Sequence, residues 1–136
     1  MTQLNPFIRL NGGKCREAMN FYKDCFGGEL SFMTIGESPM AKDMSSEKQG
    51  FIMHAELKKD SFVLYGSDMM RDIAIIGDNV GMALNCESEV EIRDFFTKLS
   101  KNGEVFCPLS DAFWGALFGI VIDKYGVEWM LNFQKK

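Results

Sequence analysis

The chain repeats itself. Leu10-Asn11 recurs as Leu84-Asn85, and Phe21-Tyr22 as Phe95-Phe96, both at an offset of 74 residues. With 136 residues in all, two copies of one pattern constrain the chain to two like modules.

In the first copy, Phe7-Ile8-Arg9-Leu10-Asn11 reads as a strand and Gly12-Gly13 as a turn. Cys15, Ala18, Met19, Tyr22, Cys25 and Phe26 then follow the i, i+3, i+4 spacing of a buried helix face. Gly27-Gly28 stops that helix, and Glu29 to Thr34 reads as a strand. In the second copy, Gly81 to Cys86 is a strand. Ser88 caps a helix with its body over Val90 to Leu99, and Glu91 completes a capping box. Asn102-Gly103-Glu104-Val105 echoes Gly27-Gly28-Glu29-Leu30 one residue later.

Two further strands complete each copy. Phe51 to Leu57 and Ser61 to Tyr65 flank a Lys58-Lys59-Asp60 turn. Leu117 to Ile122 and Val127 to Phe133 flank Asp123-Lys124-Tyr125-Gly126. Each copy therefore reads β-α-β-β-β. The expected fold class is α+β: one domain over 1–136, with βαβββ modules at about 1–70 and about 78–136. These modules are expected to form a curved mixed sheet with helices outside and an open cleft on the inner face. Gly36 to Gly50 and Gly66 to Asn79 lack periodicity, and loops of that length often serve as lids or interface segments. The first carries Met40, Lys42, Asp43 and Met44; the second carries Asp68, Met69, Met70 and Arg71.

Charge and hydropathy exclude several classes. Lys and Arg number 15 against 19 Asp and Glu, a net charge of −4 that argues against broad nucleic-acid binding. No apolar run approaches the roughly 18 residues of a membrane helix. The N-terminal Met1 to Pro6 has no basic segment leading into an apolar one, so the expectation is a cytoplasmic protein. Cys15, Cys25, Cys86 and Cys107 form no C-x-x-C pair and are expected to be reduced thiols. No Gly-x-Gly-x-x-Gly and no phosphate-binding loop is present. Ten Met and twelve Phe suit either a plastic core or a hydrophobic ligand cavity.

Strand alternation sorts the polar residues. Asn5, Phe7, Arg9 and Asn11 share one face of the first strand, opposite Ile8 and Leu10. His54 and Glu56 share a face with Ile52, opposite Met53, Ala55 and Leu57. Gly81, Ala83 and Asn85 oppose Met82, Leu84 and Cys86; Glu128, Met130 and Asn132 oppose Trp129, Leu131 and Phe133. The face away from the helices thus collects Asn5, Arg9, His54, Glu56, Asn85, Glu128 and Asn132. His54, the single histidine, pairs with Glu56 as a candidate acid–base couple or part of a metal site. Arg9, on a mostly apolar strand, is suited to clamp a carboxylate or phosphate or to pair with Glu56 or Glu128.

The pattern resembles a known family. The segments that carry the likeness are Phe7 to Gly13 with Cys15-Arg16-Glu17-Ala18, Phe21-Tyr22-Lys23, Phe26 to Glu29, and Ile52 to Leu57. Others are Gly66-Ser67-Asp68, Pro108 to Ala116 with its Phe-Trp-Gly-Ala, and Phe118-Gly119 leading to Asp123 to Asn132 with its Gly-Val-Glu-Trp. They are similar to the vicinal oxygen chelate superfamily of glyoxalase I, bleomycin-resistance proteins and extradiol dioxygenases. More narrowly, they resemble its PhnB-like branch, often labelled demethylubiquinone methyltransferase-like. The resemblance implies paired βαβββ modules, a homodimer and a cleft. The superfamily's enzymes hold a divalent metal with His and Glu on four strands. Those positions fall on Asn5, Glu56, Gly81 and Met130, so only Glu56 is an ordinary ligand.

The expectation is therefore a protein that binds a small molecule, with no cofactor and no catalytic metal. Its partners are a ligand and a second copy of itself, not nucleic acid or membrane. Phe7, Phe113, Trp114 and Met130 are the candidate apolar lining; Arg9, His54 and Glu56 are the candidate polar groups. The alternative is a lyase, isomerase or dioxygenase-like enzyme with an atypical metal site at Glu56 and His54, or one using those two as acid and base. A third reading is a structural or regulatory partner protein.

Overall fold

Helix α1 (Cys15–Phe26) buries the same six residues that the helical spacing singled out. It ends where Gly27 and Gly28 take φ of 78° and 97°. A side chain on Gly28 would run into the carbonyl oxygen of Lys58, so the close approach itself requires glycine. The computed structural model describes residues 1–68 and 73–135. Met69, Met70 and Arg71 of the second long connection lie outside the described residues.

The chain divides into two units, Met1–Ile75 and Ile76–Lys136. In the first, β1 (Phe7–Arg9), β2 (Glu29–Thr34), β3 (Ile52–Lys59) and β4 (Phe62–Ser67) form one sheet of order β1-β4-β3-β2. The β1–β4 pairing is parallel; the β4–β3 and β3–β2 pairings are antiparallel. In the second unit, β5 (Met82–Asn85), α2 (Glu89–Leu99), β6 (Glu104–Asp111), β7 (Ala116–Ile122) and β8 (Glu128–Gln134) repeat the plan as β5-β8-β7-β6. The fold is α+β, with two βαβββ units and a mixed sheet in each. The two helices begin at Cys15 and Glu89, the same offset of 74 that the sequence repeat shows.

Each core lies between a helix and one face of its sheet. In the first unit, Ile8, Ala55, Leu57 and Leu64 are buried with the inner face of α1. In the second, Ile92, Phe95 and Leu99 are buried with Leu117, Val121, Trp129 and Leu131. Each such aliphatic side chain contributes about 1.5–3 kcal/mol on burial, so these two layers dominate the stability of their units. Among the described residues no helix is long and apolar enough to cross a membrane.

Four local expectations are corrected. Lys58 and Lys59 extend β3, and the turn falls later, with Asp60 at φ 43°. Lys59 stays in the strand because its ammonium donates to the Phe26 carbonyl at the end of α1. The Gly36 to Gly50 stretch contains three one-turn 3-10 helices at Ile35–Glu37, Ala41–Asp43 and Ser46–Lys48. At α2 the Ser88 hydroxyl accepts from the Glu91 N–H at 3.0 Å, but Glu91 reaches back to the N–H of Glu87 rather than Ser88. Finally, Ile52 does not share a face with His54. β2 pairs Met33 with His54 and Thr34 with Ile52, so Met53 is a bulged extra residue and Ile52 turns to the buried side.

Candidate functional site

The face of each sheet opposite its helix holds the candidate residues. In the first unit, register places Phe7, Tyr65, Glu56 and Ser31 in one row across β1, β4, β3 and β2. Arg9 lies opposite Ser67, and His54 opposite Met33. The His54 ring sits 5.1 Å from that of Tyr65, and the Arg9 guanidinium lies 5.3 Å from the centre of Phe7. The structure thus brings Phe7, Arg9, His54 and Glu56 to one face and adds Tyr65 among them.

His54 and Glu56 are half-buried. Among the described residues neither makes a side-chain hydrogen bond or an ion pair, to each other or to a third group. A catalytic base is normally oriented by a hydrogen bond to another side chain. Among the described residues the aromatic contact of the His54 ring is Tyr65. Arg9 does not pair with Glu56 and is exposed.

In the second unit, Asn85, Asn132, Phe118 and Ser110 form one row, and Ala83, Met130, Ile120 and Cys107 the next. The turn between β6 and β7 lays Trp114 against this face. Its ring centre is 5.4 Å from Phe118, and its indole N–H donates to Asn132 Oδ1 at 3.4 Å. Asn132 Nδ2 donates in turn to Asn85 Oδ1 at 3.5 Å. Phe113 stands edge-on to Trp114 at 4.9 Å. Phe113 is 97% exposed and Trp114 47%. The turn is held by Gln134 Nε2, which donates to the carbonyls of Trp114 and Gly115, both at 3.3 Å, and by the Lys135–Asp111 ion pair. That lysine holds the Asp111 carboxyl below its ordinary range, first through its hydrogen bond and then through its charge.

Phe113, Trp114 and Met130 therefore share one neighbourhood. Five members of these faces did not stand out in the sequence as site residues: Tyr65, Phe118, Ile120 and the linked Asn85 and Asn132. Alternation alone placed Asn85 and Asn132 on the right side. Their contact depends on β5 lying beside β8, which no local pattern reveals.

The residues present do not fit the metal of the superfamily's enzymes. Among the described residues no three His, Cys, Asp or Glu side chains gather to hold a metal ion. Asn5 and Glu56 are half-buried in the first unit. In the second, Gly81 has no side chain, and Met130 sits between Ala83 and Ile120. Two of the four thiols are also ill-suited as ligands. Burial, then Asp68, pushes Cys15 up to about 12, and burial, then Glu91, does the same for Cys86.

Comparison with known proteins bears on these faces. The family profile described as 3-demethylubiquinone-9 3-methyltransferase matches residues 2–132. The chain is 33% identical to protein PA1353 from Pseudomonas aeruginosa, with 100% of each chain covered and a TM-score of 0.87. It is 28% identical over 147 residues to protein YjdN of Escherichia coli (strain K12), covering 98% of this chain and 96% of that protein. A PhnB protein from Bacillus cereus is 26% identical, with 97% and 99% of the two chains covered and a TM-score of 0.73.

Proposed function

This chain belongs to the 3-demethylubiquinone-9 3-methyltransferase family, in the PhnB-like branch of the vicinal oxygen chelate superfamily; on that premise we propose that it binds a small, largely apolar organic molecule without a catalytic metal. The observation that carries this reading is the Phe113–Trp114 pair, exposed at the edge of an apolar sheet face with two amides set into it. Covering one such aromatic is worth about 1.5–3 kcal/mol. Two of them fall short of the roughly 8 kcal/mol of a micromolar complex. The proposed ligand therefore also covers Phe118, Ile120 and Met130. Phe7 and Arg9 give the first unit a face of similar character, with a cation in place of the amides. In this reading the protein works in the cytoplasm as a homodimer.

The methyl transfer in the family's description requires a nucleoside-bearing methyl donor. The strand-to-helix turn after β1, Asn11-Gly12-Gly13-Lys14, lacks the Gly-x-Gly-x-x-Gly spacing for one, and the Asp68 carboxylate already takes the N–H of Cys15 at the start of α1. The residues present do not fit that group.

The test uses β-naphthol as probe, with elemental analysis of the purified protein beside it. A saturating concentration raises the unfolding temperature of the wild type but not of Trp114→Ala, and metal is far below one per chain. Absence of any stabilisation, equal stabilisation of Trp114→Ala, or a stoichiometric metal overturns the reading.

A second reading is an acid–base enzyme at His54 and Glu56. It is favoured by Tyr65, which adds a third titratable group beside both residues. On any substrate found for the protein, His54→Ala with full activity ends it.

A further inference from the structure

We infer that the second unit's face selects a ligand that presents a neutral hydrogen-bond acceptor, a flat conjugated carbonyl compound; this rests on the ligand-binding reading above. The polarity of the amide chain carries the inference. An indole N–H can only donate, so the Asn132 atom facing Trp114 is its oxygen. The amide nitrogen of Asn132 then points to Asn85, which meets it with its own oxygen. Asn132 and Asn85 are direct neighbours in the β5–β8 register, so the two amides are positioned by the backbone. Asn85 is exposed, and among the described residues nothing accepts from its NH2. The chain of three residues begins with a donor and ends with a donor.

What surrounds that NH2 narrows the acceptor. Ala83, Met130 and Ile120 form the adjacent row, and Phe118 flanks Asn132, so the body of the ligand lies on an apolar floor. The two rows, Asn85-Asn132-Phe118-Ser110 and Ala83-Met130-Ile120-Cys107, hold no cation to pair with an anion. A neutral carbonyl on a flat body satisfies the donor without one, and its ring system matches Trp114 and Phe118.

The experiment compares β-acetonaphthone with its planar isostere β-isopropenylnaphthalene, which replaces the carbonyl oxygen by CH2. Equilibrium dialysis gives both affinities. The wild type is expected to favour the ketone by about three- to tenfold, the range of one neutral hydrogen bond. Asn85→Asp replaces the donor by an acceptor and removes the preference. Trp114→Phe keeps an aromatic ring but removes the N–H that sets the polarity, and also reduces the preference. The preference is read within each variant as the ratio of its two affinities, so a general change in binding at this face cancels. Equal binding of the two compounds by wild type, or a ketone preference that survives Asn85→Asp, overturns the inference while leaving the ligand-binding reading standing. Binding of neither compound overturns both.

Discussion

Asp68 Oδ1 accepts the backbone N–H of Cys15 at 2.9 Å, so a carboxylate at the end of β4 caps a helix 53 residues earlier in the chain. The cap is needed because Lys14, at the N-cap position, makes no side-chain capping bond. The other oxygen, Oδ2, accepts the Ile52 N–H at 2.9 Å. One side chain thus ties α1, β3 and β4 together. Asp68→Ala leaves both donors unpaired in a half-buried place and is expected to cost about 1–3 kcal/mol in urea denaturation. Asp68→Asn keeps one acceptor and should recover part of that loss. An Ala variant as stable as wild type would show the clasp to be dispensable.

Asp123 plays a comparable part in the second unit. It is only 3% exposed. Its Oδ1 accepts from the backbone N–H groups of Tyr125 and Val127 at 2.8 and 3.1 Å, and its Oδ2 from the Trp129 indole at 2.8 Å. All these partners donate, so a carboxamide must aim its NH2 at one of them. Asp123→Asn is expected to lose about 2–3 kcal/mol, the scale of a buried charge-assisted bond. Denaturation followed by tryptophan emission measures it, and an unchanged midpoint refutes the account.

How much of this was legible in the sequence depends on range. Helix α1 was legible because its buried stripe is written into consecutive turns at Cys15, Ala18, Met19, Tyr22, Cys25 and Phe26. Lys59 read as turn because its partner, the Phe26 carbonyl, is distant in the chain. Ile52 was set on the wrong face because strict alternation cannot foresee a bulge at Met53. The same limit applies to the site. Phe113, Trp114 and Met130 were found as apolar residues in a suggestive place. The Asn85–Asn132 link was not, because it exists only once β5 lies beside β8.

Both helices press on a glycine in the sheet beneath. A methyl at Gly119 would lie 2.6 Å from the Phe96 ring and 3.1 Å from the Cys107 carbonyl oxygen. At Gly66 the nearest atom, at 2.8 Å, is the thioether sulfur of Met19. Aromatic ring and backbone yield less readily than a thioether. Gly119→Ala should therefore destabilise by about 1–3 kcal/mol, and Gly66→Ala by less. Thermal unfolding of the two variants decides, and the opposite order would refute the packing argument.

The buried thiol of Cys15 and the half-buried thiol of Cys86 are expected to make stability fall in alkali. Cys15 and Cys86 are held as thiols up to about 12, against an ordinary value of 9.0. Between those values the folded chain keeps protons that the unfolded chain has released, so rising pH favours unfolding. Their contribution is complete below about pH 9 and is lost progressively towards 12. The discriminating quantity is the difference between variant and wild type. Cys15→Ala and Cys86→Ala should each flatten the decline of unfolding temperature above pH 9. A slope equal to wild type in both would mean that the thiols ionise without cost to the fold.

Phe113 separates folding from binding more sharply than any other residue here. At 97% exposure, with Trp114 as its ring contact, it has almost no packing to lose. Phe113→Ala is therefore expected to change stability by no more than about 0.5 kcal/mol, as for an ordinary surface substitution. If the side chain is exposed in order to cover a ligand, the same substitution removes about 1.5 kcal/mol of burial from the complex, or roughly tenfold in affinity. Parallel measurements of the unfolding midpoint and of β-naphthol affinity test both halves. Lost affinity at constant stability is the signature of a binding aromatic. Lost stability at constant affinity would make Phe113 a packing residue and remove the main support for placing a ligand at this turn.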